Sequence, residues 1–140
     1  MVGIRMWQKR YSLIMPKKKP KRMSLVRKLD KIVSIIIRTR DKHCVVCGKR
    51  EYLQNGHLFP RGSYSTRWDV TPNGNCHTQC RGCNLSHNRD FYPYSNWYVK
   101  KFGQKTYDKL HRRYKTKKKF TDKQLETLYE KLKKTKKGVQ

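Results

Sequence analysis

Acidic residues are scarce in this chain: 9 Asp plus Glu stand against 36 Lys plus Arg, a formal net charge of +27. Self-repulsion of that size is relieved only when a polyanion takes up the charge, so nucleic acid is the expected partner. An acidic membrane surface is the rival. It is disfavoured because no apolar run reaches the ~20 residues needed to span a bilayer, and because the cations are spread along the whole chain. Apolar residues are also in short supply, at 35% over 140 residues. One compact domain with tails is the upper bound, and a bound metal would help fix its fold. A secretory signal is lacking and the cysteine count, five, is odd, which argues against an oxidised disulfide framework.

What is present is concentrated between Cys44 and His87, which holds every cysteine. The stretch opens with Cys44-Val45-Val46-Cys47-Gly48 and closes with Cys80-Arg81-Gly82-Cys83-Asn84. Each Cys-x-x-Cys pair can turn tightly with both sulfurs inward. Together they supply the four thiolates of a tetrahedral structural Zn²⁺ site: Cys44, Cys47, Cys80 and Cys83. Gly48 frees the backbone after the first pair. Cys76 is left over and reads as a small buried apolar residue.

Upstream, residues 1–23 form a basic arm broken by prolines, Pro16-Lys17-Lys18-Lys19-Pro20, which cannot bury itself and is expected to lie on phosphates. Trp7, Tyr11, Leu13 and Ile14 before it can dock on the domain or on a partner chain. From Ser24 the apolar residues Leu25, Leu29, Ile32, Val33, Ile36 and Ile37 recur at intervals of three and four, the stripe of one helix. Arg38 and Arg40 fall off the stripe and are offered to DNA. A short strand over Glu51–Phe59 leads into His57, then comes an irregular loop whose Arg61 and Arg67 can reach phosphate. Trp68 and Val70 are expected to start a second strand, carrying Asn75, with a helix after Cys83. Tyr92, Tyr94, Trp97, Tyr98 and Phe102 read as an aromatic core segment on a helix beginning near Ser95 and broken at Gly103. Thr121-Asp122-Lys123-Gln124 is a capping box opening a last helix striped by Leu125, Leu128, Tyr129 and Leu132, which covers either the core or a partner. The expected divisions are thus the arm 1–23, a central domain 24–115, and a basic C-terminal helix and tail 116–140. The fold class is α+β.

Hydrolysing a phosphodiester takes a base to accept a proton from water and a cation to neutralise charge on the phosphate and leaving oxygen. His57, at a strand end in a polar loop, is the candidate base. Asn84, directly after the second cysteine pair, is the candidate oxygen ligand for a hard cation such as Mg²⁺ or Mn²⁺. His87, one helical turn on, is a second ligand or a phosphate contact. Asn75 is placed to brace the loop of His57 through its amide. Four thiolates with a histidine and two asparagines in this order resemble the HNH, or ββα-metal, nucleases. Over a longer span, Leu29-Asp30-Lys31-Ile32, Leu53-Gln54-Asn55-Gly56-His57, Arg61-Gly62-Ser63, Asn75-Cys76-His77-Thr78-Gln79-Cys80 and Cys83-Asn84 resemble the phage recombination endonucleases called NinG or Rap. That resemblance implies a structure-specific endonuclease cutting branched DNA such as Holliday junctions and D-loops, a small zinc-stapled ββα-metal core, and a cytoplasmic site on the host nucleoid. It also makes His77 a candidate for the catalytic cation. Paired cuts at a junction would need a homodimer. Many HNH enzymes carry Asp or His directly before the base, where this chain has Gly56; Gln54, His77, His87 and Asp90 are the substitutes to test. The alternatives are a non-catalytic zinc-ribbon nucleic-acid-binding protein and a phage packaging or homing HNH enzyme.

Overall fold

In the computed structural model, which describes residues 21–139, the chain runs α1 (Lys21–Asp41), β1 (Leu53–His57), α2 (Tyr64–Arg67), β2 (Cys76–Cys80), α3 (Arg81–His87), α4 (Tyr92–Phe102), α5 (Gln104–Lys115) and α6 (Asp122–Val139). Lys17, Lys18 and Lys19, with the aromatic residues before them, lie outside the described residues. Helix α1 buries the whole predicted stripe, Leu25 through Ile37, and α6 lies along it with Leu125 and Leu132 buried in the same cluster. Burying one such side chain contributes about 1.5–3 kcal/mol. The ion pairs beside the stripe, Lys21–Glu126 at 2.9 Å and Arg22–Asp122 at 3.0 Å, are exposed and solvent-screened, so they contribute little. The apolar seam therefore holds α6, whose entry is set by the capping box: Thr121 N–H donates to Gln124 Oε1 and Gln124 N–H to Thr121 Oγ1.

The sheet has two antiparallel strands, with Leu53 opposite Cys80 and His57 opposite Cys76. Successive residues of β2 face opposite ways. Thr78 Oγ1 donates to the Ile37 carbonyl of α1, whereas His77 meets Tyr94 of α4, so α1 covers one face and α4 approaches the other. The second strand is not where the sequence placed it. Trp68 turns into the α1 cluster instead of entering a strand, and Asp69 Oδ1 accepts from both Thr71 N–H and Thr71 Oγ1, folding 69–74 into a turn. Pairing starts at Cys76, so Asn75 sits just ahead of the strand.

Helix α4 begins at Tyr92, earlier than Ser95, because Pro93 suits the first turn. Tyr94 and Tyr98 are fully buried with Leu58, Phe59 and Leu110 in a second cluster, which makes this face core. Tyr92 itself is 69% exposed. Among the described residues, no helix is long and apolar enough to cross a membrane.

Candidate functional site

Two chemical features meet at the ends of the sheet. The first is the cysteine cluster. Cys44 and Cys47 sit on the turn after α1, where Gly48 at φ +80° lets its N–H return to the Cys44 carbonyl. Cys80 ends β2 and Cys83 lies in the first turn of α3. The four Sγ atoms all lie within 4.8 Å of one another, with Cys47 and Cys80 at 3.7 Å. Tetrahedral zinc with bonds of about 2.3 Å sets its sulfurs about 3.8 Å apart. The donor set therefore fits, and the cluster can hold a metal ion such as zinc. Although burial opposes it, the Cys83 backbone N–H and neighbouring thiols pull Cys80 down to about 7. Burial and the same crowding push Cys83 up, as expected of several sulfurs that cannot all ionise without a cation between them. Cys76 is apart from them, fully buried in the α1 cluster, its thiol pushed up to about 12 by burial and donating to the Arg67 carbonyl at 3.3 Å.

The second feature is a cleft of about 800 Å³ where the end of β1 passes between α1 and α3. His57, Asn84 and His87 line it together, with Arg61, Arg81 and, from α1, Asp30 and Ser34. His57 Nε2 is 2.9 Å from the Arg67 carbonyl. A carbonyl only accepts, so Nε2 carries the proton and Nδ1 keeps its lone pair. Burial pushes the imidazole down to about 4, outweighing the pull of that carbonyl, so the ring is neutral at ordinary pH. Asn84 Nδ2 donates to Gln54 Oε1 at 3.0 Å, which fixes the amide and leaves its oxygen as an acceptor. By the same reasoning His87 Nε2 donates to the Leu58 carbonyl at 2.9 Å, while Nδ1 is buried without a partner among the described residues.

Asn75 is fully buried and clamps the segment that follows His57: Nδ2 donates to the Phe59 carbonyl at 2.8 Å and Oδ1 accepts from Phe59 N–H at 2.7 Å. The residue before His57 has no room for a side chain. A Cβ on Gly56 would stand 2.1 Å from Gln79 Oε1. The position that carries Asp or His in many HNH enzymes is thus closed here by packing. Of the substitutes, Gln54 lines the cleft, whereas Asp90 caps the Tyr92 N–H.

Three expected roles need correction. His77 is not a free ligand: Nε2 reaches the Pro72 carbonyl and Nδ1 the Tyr94 hydroxyl, each at 2.8 Å, inside an aromatic cage away from the cleft. Arg67 does not point at phosphate. Its guanidinium grips Asp30 with two bonds, 2.9 and 2.6 Å, because a half-buried carboxylate needs a forked partner. Arg40 likewise is turned inward, holding Asp41 and the carbonyls of Val70 and Cys76, so it ties the end of α1 to β2. Arg38 stays at the surface, its Nε on Ser34.

Asp30 is the residue that sequence reasoning missed. Burial raises its carboxyl, but bonds from Arg67 and Trp68 Nε1, and the arginine charge, outweigh that and hold it below the usual range. It fixes Arg67, whose carbonyl fixes the His57 ring. The sequence signals were its place in the Leu29–Ile32 stretch that carries the family resemblance and its being an acid on a helix otherwise rich in cations.

Fold and site together define a small, strongly basic α+β protein with a four-cysteine cluster able to hold a metal ion, beside a polar cleft bearing an imidazole, an amide and guanidinium groups without an acidic partner among the described residues. The family model of the Bacteriophage Lambda NinG protein matches residues 6–140, and the chain belongs to that family. No curated protein and no solved structure matches it.

Proposed function

We propose that the protein is an HNH-type, structure-specific DNA endonuclease that hydrolyses branched recombination intermediates. The observation that supports this best is the meeting of His57, Asn84 and His87 in one cleft, with His57 neutral and its Nδ1 lone pair without a partner among the described residues. His57 Nδ1 takes a proton from water, the water oxygen bonds to phosphorus, and one ester P–O bond breaks as its oxygen leaves to be protonated. The approach of phosphate anions favours the imidazolium and raises this base toward the working pH. Arg61 and Arg81, which have no acidic partner among the described residues, hold the flanking phosphates. A divalent cation, when bound, supplies charge neutralisation at the scissile phosphate and leaving oxygen. The donors that fit it are the Asn84 amide oxygen and the unpartnered His87 Nδ1. With no free carboxylate among these donors, tight cation binding needs the substrate's own phosphate oxygens.

The test is cleavage of a labelled four-way junction and a matched linear duplex, with and without Mg²⁺, by wild type, His57→Ala and Asn84→Ala. Junction cutting that needs Mg²⁺ and disappears in both folded variants, while binding survives, supports the reading. Binding without cleavage in any form refutes it in favour of a non-catalytic clamp. Equal cutting of linear duplex moves the target from branches to ordinary DNA.

A further inference from the structure

The cleft has a lip that hydrolysis alone does not use. Leu85, on α3 directly after Asn84, lines the cleft yet is 64% exposed, and Phe91 beside it is 39% exposed. Phe91 stacks on His87 at 4.6 Å with 27° between the planes, which turns part of its ring outward while anchoring the rest. Single exposed leucines are ordinary. This one differs because it shares a wall with the candidate base, the candidate ligand and two guanidinium groups, Arg61 and Arg81, that have no acidic partner among the described residues.

A ligand for that wall must bring negative charge to the arginines and an apolar face to Leu85 and Phe91 at the same time. Nucleic acid does so only where a base is unstacked, since in continuous duplex the base faces are covered by their neighbours. We infer that Leu85 is a wedge residue that inserts against an unstacked base at the branch point, with Phe91 backing it, so that the cleft selects DNA whose stacking is interrupted next to the scissile phosphate. This rests on the reading of the cleft as a DNA site and adds the feature of the substrate that is recognised.

The experiment uses the full chain without added divalent cation, so that binding is read apart from cutting. 2-Aminopurine is placed at the branch point of a four-way junction, and at the matching position of a linear duplex. Wild type should raise its fluorescence in the junction and much less in the duplex. Leu85→Ala should lose most of that rise and weaken junction affinity about ten-fold, with little change for linear duplex; Leu85→Met should restore both. Circular dichroism and zinc content check that the exposed substitution leaves the fold intact. Unchanged fluorescence and an unchanged junction-to-duplex affinity ratio in Leu85→Ala overturn the inference. So does a change of sedimenting mass with unchanged DNA binding, which would make the lip a contact between copies. Wild type that unstacks the junction but never cuts it with Mg²⁺ supports the wedge and overturns the nuclease reading.

Discussion

Replacing Asn75 tests how the candidate base is held. Its amide makes two bonds to the backbone of Phe59, two residues beyond His57, and no solvent reaches it. Asn75→Ala leaves a buried N–H and a buried carbonyl without partners. At about 1–3 kcal/mol each the loss is about 2–6 kcal/mol, a large part of the roughly 5–15 kcal/mol that stabilises an ordinary domain. Asn75→Asp is more telling. The ionised carboxylate keeps the acceptor for Phe59 N–H but sets a second oxygen against the Phe59 carbonyl, in a place where charge is costly. Protonation restores a donor, so the folded-state carboxyl is raised above its unfolded value of about 3.9, and the folded chain binds the extra proton. Stability relative to wild type should therefore recover as pH falls from about 7.5 to 5.5. Urea unfolding followed by tryptophan fluorescence at both pH values reads this. The reasoning is refuted if Asn75→Ala stays within about 1 kcal/mol of wild type, or if the deficit of Asn75→Asp grows on acidification.

Other outcomes follow from the same contacts. Asp30→Ala should cost about 1–3 kcal/mol in urea unfolding, because it leaves the partly buried Arg67 and Trp68 Nε1 without their acceptor, and the exposed pair variant Glu126→Ala should cost clearly less. Wild-type stability should fall as pH drops from about 6.5 toward 4, since His57 and His77 are both pushed down to about 4 by burial while their unfolded forms protonate near 6.5. Each can remove up to about 3 kcal/mol, and a His57→Gln chain should show a shallower decline; a urea midpoint flat over pH 7 to 5 contradicts this. Cys80→Ser should abolish stoichiometric zinc in a metal-release assay and unfold the centre of the chain, whereas Cys76→Ala should retain about one zinc per chain. A folded, zinc-free Cys80→Ser protein contradicts the idea that the metal staples the fold.

Much of this architecture can be read in the residues themselves. The Cys-x-x-Cys pairs, the α1 stripe, the Thr121–Gln124 box and the break at Gly103 are all local patterns, and each appears in the fold at those residues. The failures share one cause. Arg40 and Arg67 look like any of 36 cations until the fold brings the Val70 and Cys76 carbonyls to the first and Asp30 to the second, and which cations turn inward is decided by long-range packing. The second strand was expected too early because Trp68 and Val70 carry stronger strand preference than Cys76-His77-Thr78-Gln79-Cys80. Burial of Trp68 against Asp30 outweighed that preference. His77 resembled a site residue because sequence order alone puts it among site residues, whereas alternation along β2 turns it to the opposite face.

The chain of contacts from Asp30 through Arg67 to His57 has a bearing on timing. The acid lies on α1, the imidazole on β1, and the carbonyl that dictates which ring nitrogen is protonated sits on a loop locked by that acid. Until α1 docks, nothing selects one tautomer over the other. In a nascent or partly assembled chain the ring of His57 is therefore free to take either tautomer, and the protonation seen in the fold is set only once the long helix has docked.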